Sequence, residues 1–134
     1  MQNVIDIEGI GPVYADKLKA AGVTTTEDLL KLGATPKGRQ ELAKKTGISD
    51  SLILRWVNHA DLFRIKGVSS QYAELLEAAG VDTVPELAQR NAANLSQKME
   101  EVNSGKKLVR KPPAASQIEK WIHEAKELPR MVNY

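Results

Sequence analysis

The stretch IEGIGPVYADKLKAAGVTTTEDL, residues 7–29, decides the fold because it recurs as IKGVSSQYAELLEAAGVDTVPEL at residues 65–87. Eleven of the 23 aligned pairs are identical, including Tyr14 with Tyr72 and an Ala-Ala-Gly-Val run in each copy. A chain that repeats itself over this length is built from two diverged copies of one supersecondary unit.

The repeat continues beyond this stretch in a shifted register. ILRWVNHA at residues 53–60 aligns with IEKWIHEA at residues 118–125, so that Trp56 falls on Trp121. The offset between the copies grows from 58 to 65 positions. The second copy therefore contains an insertion, which we place at residues 103–115.

Proline, glycine and capping residues indicate where the helices begin and end. Pro12 suits the first turn of a helix that Gly22 stops, and Ser69 or Ser70 with Gly80 brackets its twin. Further helices are predicted near residues 36–45, 50–62, 94–102 and 116–128, with short ones starting at Thr26 and Thr83. Because no stretch alternates as a strand would, the fold class is predicted to be all-α.

Composition agrees with a folded helical chain. The 134 residues are 42% hydrophobic and only 4% aromatic, and they include no cysteine. No basic segment followed by an apolar run opens the sequence, and no eighteen apolar residues stand together. We therefore expect a cytoplasmic protein without a membrane partner, divided into units at residues 1–62 and 63–134 that form one compact body.

The hairpins that precede the twin helices carry a recognisable motif. Ile7-Glu8-Gly9-Ile10-Gly11 resembles the helix-hairpin-helix motif of DNA-repair and recombination proteins, and Arg64-Ile65-Lys66-Gly67-Val68-Ser69 is a weaker match. Over nearly its whole length the chain is similar to a bacterial tandem helix-hairpin-helix family that carries only a domain-of-unknown-function label (family 4332). The resemblance implies two tandem helix-hairpin-helix (SAM-like) units and suggests DNA binding by association.

Hairpins of this kind bind phosphate through converging main-chain N–H groups at a helix N-terminus. The predicted donors are the amides of Gly9, Ile10 and Gly11 in the first hairpin and those of Gly67, Val68 and Ser69 in the second. Such contacts hold the DNA backbone and carry no sequence information.

Charge favours the second hairpin. The net charge is +2, shared equally between residues 1–60 and 61–134, so neither half is a basic domain. Glu8 and Asp16 place negative charge at the first hairpin, whereas Arg64 and Lys66 flank the second. We therefore expect DNA binding to be polarised toward the second unit.

The insertion contains the densest basic run of the chain. Its cations are Lys106, Lys107, Arg110 and Lys111, with no acid among them. Two interpretations remain open: a solvated linker stiffened by Pro112 and Pro113, or an electrostatic arm that supports the second hairpin.

Other chemistry is not indicated. His59 and His123 lack the neighbours of a metal site, and we expect them to have surface or capping roles. We find no nucleophile with a base and no nucleotide-binding loop, and we expect neither a cofactor nor catalysis. The leading hypothesis is a module that binds the DNA backbone without sequence specificity; the alternative is a protein-interaction or assembly module whose hairpins are only structural.

Overall fold

The computed structural model describes residues 2–134 and confirms an all-helical fold. A short 3-10 helix, Val4–Asp6, precedes eight α-helices, and residues 2–134 contain no strand. The helices are α1 (Pro12–Ala20), α2 (Thr26–Leu32), α3 (Pro36–Thr46), α4 (Asp50–Leu62), α5 (Ser70–Ala78), α6 (Val84–Ala88), α7 (Ala92–Lys106) and α8 (Ala115–Glu127).

The chain forms two units that we describe separately. Unit 1 contains the described residues up to Asp61 together with Met131–Tyr134, and unit 2 contains Leu62–Arg130. The sequence prediction assigned residues 131–134 to the second unit; the structure places them in the first. We call them the return segment.

The twin helices α1 and α5 end in the same way. Gly22 and Gly80 follow them with φ of +90° and +96°, a left-handed conformation that glycine adopts without strain. In unit 1 the Val23 N–H donates to the Leu18 carbonyl over 2.8 Å, and in unit 2 the Val81 N–H donates to the Leu76 carbonyl over 2.8 Å. These are Schellman motifs, so the predicted helix stops are confirmed.

An aromatic pair lies beneath the hairpin in each unit. Trp56 and Trp121 are 1% and 2% exposed, as expected for core residues. The rings of Tyr14 and Trp56 lie 5.1 Å apart at 59°, and those of Tyr72 and Trp121 lie 5.4 Å apart at 59°. Tilted pairs at this distance add to the stabilisation from burial.

The hairpins themselves are hydrogen-bonded four-residue turns. The Ile10 N–H donates to the Ile7 carbonyl over 3.1 Å, and the Val68 N–H donates to the Ile65 carbonyl over 3.2 Å. The third residue of each turn, Gly9 and Gly67, has φ of +93° and +92°. This arrangement favours glycine because an L side chain at that position is strained.

Helix α7 is longer than predicted. It runs from Ala92 to Lys106, so the start of the predicted insertion is helical. It ends where Lys107 adopts a left-handed conformation, with φ 52° and ψ 47°, and donates its N–H to the Asn103 carbonyl over 2.8 Å. The sequence predicts a helix that ends near residue 102, before Gly105, but glycine inside a helix costs only about 1 kcal/mol relative to alanine, so the helix can continue through it.

Helix α2 begins with a capping box. The Asp28 N–H donates to Thr25 Oγ1 over 3.1 Å, while Asp28 Oδ2 accepts from the N–H groups of Thr25 and Thr24, each over 3.1 Å. The main-chain N–H of Thr25, followed by that of Thr24, holds the pKa of Asp28 below its ordinary value of 3.8. The ionised carboxylate is thus the form that the fold stabilises.

The hairpin glycines give a paired test of the turn. A Cβ built on Gly67 would lie 3.4 Å from Trp121 Nε1 and would occupy a positive φ, whereas one on Gly11, at φ −88°, meets nothing within 4 Å. We expect Gly67→Ala to lower the free energy of unfolding by about 1–2 kcal/mol. Gly11→Ser, which copies the residue found at Ser69, should change it by less than about 0.5 kcal/mol. Urea denaturation measures both, and equal losses would contradict this account.

The capping box predicts an acid-dependent loss of stability. Because the folded-state pKa of Asp28 is lowered, its contribution is present above pH 3.8 and is lost as the pH falls through the lowered value. Asp28→Asn should therefore lower the melting temperature at pH 7. The melting temperature of this variant should also fall less than that of the wild type as the pH is lowered. Asp50→Asn, at the start of α4, serves as the comparison, and thermal melts between pH 2 and 7 provide the measurement.

Candidate anion-binding site

The two hairpins offer fewer amides to an anion than the sequence suggests. The N–H groups of Ile10 and Val68, two of the six predicted donors, already close the turns, and their side chains are buried. An anion at either hairpin would have to rely on the neighbouring groups. In unit 2 these include Ser69, whose Oγ also accepts from the Tyr72 N–H over 3.4 Å at the start of α5.

Gly11 and Ser69 occupy equivalent backbone positions. Gly11 has φ −88° and ψ −178°, and Ser69 has φ −87° and ψ 175°. Both conformations are open to any residue. The missing second glycine therefore leaves the backbone of the second hairpin unchanged.

The basic insertion lies beside the second hairpin. An open cleft of about 800 Å³ brings the start of α5 together with the segment that follows α7. It is lined by Ser69, Gln71, Tyr72, Asn103, Ser104, Lys107, Leu108, Val109, Arg110 and Lys111. Three of the four predicted cations of the insertion thus share a cleft with Ser69. The fourth, Lys106, is exposed at the end of α7.

Side-chain hydrogen bonds hold the backbone of this segment in place. Asn103 donates from Nδ2 to the Val109 carbonyl over 3.0 Å and accepts the Val109 N–H at Oδ1 over 2.9 Å. The Tyr72 hydroxyl donates to the Lys111 carbonyl over 3.5 Å, and Pro113 is buried. The backbone of the loop is therefore anchored while its cationic side chains stay exposed.

A carboxylate occupies the other side of the second hairpin. The Lys66 N–H donates to both oxygens of Glu124, over 3.3 and 3.1 Å. Lys66, Lys120 and Glu124 line a second cleft, of about 420 Å³, together with Ser116, Gln117 and Trp121. The second hairpin thus carries an acid that its local sequence does not show.

The repeat gives Glu124 a counterpart in unit 1 but does not predict its contact with Lys66. At the offset of 65 positions, Glu124 aligns with His59. Each residue lies three positions after the tryptophan of its unit. The separation of 58 residues between Lys66 and Glu124 hides the contact from any local pattern.

The first hairpin is less suited to an anion. Glu8 and Asp16 are both exposed, and Val13 is 67% exposed, so this surface combines negative and apolar character. Arg64, which was predicted to support the second hairpin, is half-buried. Lys66 is exposed.

The two histidines differ in environment. His123 lies on the surface, with its Nε2 3.7 Å from Glu127 Oε1. His59 is 0% exposed, so the expected surface role is wrong: α4 turns this position inward. Among residues 2–134 no group of three or more potential ligands could hold a metal ion, and no helix in that range has the length and hydrophobicity of a membrane span.

Comparison with known proteins places the chain in a family. The model described as Domain of unknown function (DUF4332) matches residues 8–128. No match was found among curated proteins or solved structures. Because the family match takes in both copies of the repeat, from the first hairpin to the end of α8, the chain belongs to the DUF4332 family of domains of unknown function.

Proposed function

We propose that the protein is a non-catalytic module of helix-hairpin-helix type that binds the DNA backbone without sequence specificity, chiefly through unit 2. The observation that supports this most directly is the cleft in which Ser69, at the start of α5, faces Lys107, Arg110 and Lys111. A helix N-terminus and three exposed cations around one cleft favour a phosphate partner by both hydrogen bonding and charge.

Charge gives unit 2 its advantage over unit 1. Non-specific affinity for DNA comes mainly from the release of counterions when cations neutralise phosphates. Lys66, Lys106, Lys107, Arg110 and Lys111 are all exposed in unit 2. Anchoring of the loop by Asn103 lowers the conformational entropy that binding would otherwise have to remove.

A second candidate function rests on unit 1. Ile5 and Val13 are exposed apolar side chains. A small cleft of about 210 Å³ lies nearby and is lined by Asn3, Val4, Ile5, Ala15, Asp16, Lys19 and Thr24. This surface suits a protein partner better than a phosphate. Salt distinguishes the two functions, because an apolar interface is insensitive to ionic strength, whereas DNA affinity falls by about 0.9 log unit per tenfold salt for each phosphate neutralised.

Charge reversal in the cleft tests the proposed function. We expect Arg110→Glu with Lys111→Glu to reduce affinity for a labelled 20-base-pair duplex at least tenfold at low salt and to flatten the salt dependence. Lys37→Glu with Lys44→Glu changes the net charge equally on exposed residues of α3 and should cost much less. Fluorescence anisotropy at two salt concentrations is the measurement. Equal effects of the two double variants, or no binding by the wild type, would refute the assignment to unit 2.

The contact between Glu124 and the second hairpin gives an independent test. Replacing the carboxylate by an amide removes a negative charge from the Lys66 N–H and from the cleft that Lys66 and Lys120 line. Glu124→Gln should therefore strengthen DNA binding about threefold or more. Glu119→Gln removes the same charge from an exposed position of α8 and should have a smaller effect. If both variants gain equally, only the net charge matters and the hairpin contact plays no part.

A further inference from the structure

The return segment is held in unit 1 by hydrogen bonds to its main chain. The Asn133 N–H donates to the Ala34 carbonyl over 2.8 Å. The Asn133 carbonyl accepts from Arg39 Nη2 over 2.8 Å. Residue 133 is therefore recognised through its backbone, and its side chain is exposed.

We call the site that holds the return segment the seat; it includes Ala34, Arg39 and Asn58 of unit 1. Arg39 is a buried part of it. The residue is 4% exposed, and its Nη1 donates to the Gly33 carbonyl over 2.9 Å. A buried guanidinium requires acceptors for its N–H groups. One acceptor comes from the residue that follows α2, and the other comes from the return segment. Without that segment, Arg39 Nη2 loses its Asn133 acceptor.

Side chains on either side of Asn133 add selectivity. Val132 is 2% exposed. The Tyr134 hydroxyl donates to Asn58 Oδ1 over 3.2 Å, and Asn58 is buried. The return segment thus contributes a buried apolar side chain, the main chain of the next residue and the hydroxyl of a tyrosine that is 60% exposed.

We propose that this seat is a peptide-docking site and that the return segment of a second copy of the chain can fill it by exchange. Every copy of the chain carries the segment that fits the seat. The same contacts form whether the segment comes from its own chain or from another, so exchange costs little free energy. Only Leu128, Pro129 and Arg130 lie between the end of α8 and Met131. This short connection keeps the local concentration of the chain's own segment high, so exchange becomes visible as the protein concentration rises.

A peptide titration tests the seat. The probe is a fluorescent, C-terminally amidated peptide LPRMVNY, which reproduces residues 128–134. In the full-length chain, Val132→Asp should release the internal segment, and we expect this variant to bind the probe at least tenfold more tightly than the wild type does. A probe carrying the same valine-to-aspartate change should not bind. A Val132→Asp chain that stays helical by circular dichroism yet binds no probe would overturn the proposal.

A double-mutant cycle checks that the probe uses the same contacts. Against the Val132→Asp chain, a probe with phenylalanine in place of tyrosine should bind about threefold to tenfold more weakly, because one hydrogen bond is lost. Against Val132→Asp with Asn58→Ala, the two probes should bind alike. A tyrosine preference that survives the loss of Asn58 would mean that the probe binds elsewhere.

An experiment on the wild-type chain tests whether a second copy supplies the segment. It does not depend on the folding of the Val132→Asp variant. Sedimentation velocity is measured from roughly 10 µM to 1 mM, so that the protein concentration approaches the effective concentration of a tethered segment. The fraction of dimer should rise with protein concentration and fall to zero with excess probe. A chain that remains monomeric throughout would overturn the second copy as the occupant. A dimer that the probe leaves intact would overturn exchange as its cause.

Discussion

In both units the indole nitrogen of a tryptophan lies against the hairpin glycine, and this contact brings together parts of the chain that are far apart in sequence. Trp56 comes from α4 and Gly9 from the turn before α1; in unit 2 the partners are Trp121 of α8 and Gly67. Because glycine has no Cβ, the turn presents bare backbone to the ring. The tyrosine in the first turn of the following helix packs on the same indole. Hairpin, twin helix and closing helix are thereby fixed to one another in each unit.

On this shared framework the hairpins of the two copies have diverged in charge and not in backbone. Gly11 and Ser69 have the same conformation, and both turns use the same hydrogen bond. The differences lie in what surrounds them: exposed acids and an exposed valine in unit 1, an anchored basic loop in unit 2. The two copies thus share the element that needs a special geometry and differ in the surface around it.

The repeat predicted the helices because the residues that end a helix lie close together in sequence. Gly22 and Gly80 end their helices through hydrogen bonds between residues no more than five positions apart. A pattern of that length is visible in the sequence. The site residues depend on contacts at long range. Glu124 reaches Lys66 across 58 positions, and Arg39 reaches Asn133 across 94. His59 was expected to have a surface or capping role yet is buried, since the orientation of a helix position depends on what packs against it.

The return segment also affects how the chain can fold during synthesis. Unit 1 is discontinuous, because the whole of unit 2 lies between Asp61 and Met131. On the ribosome, α1 to α4 emerge well before the residues that supply the acceptor of Arg39 Nη2. Unit 2 is continuous in sequence, so its contacts can form first as a complete set, whereas unit 1 must wait for a segment made after it. Unit 1 therefore cannot complete its contacts until the return segment has been synthesised.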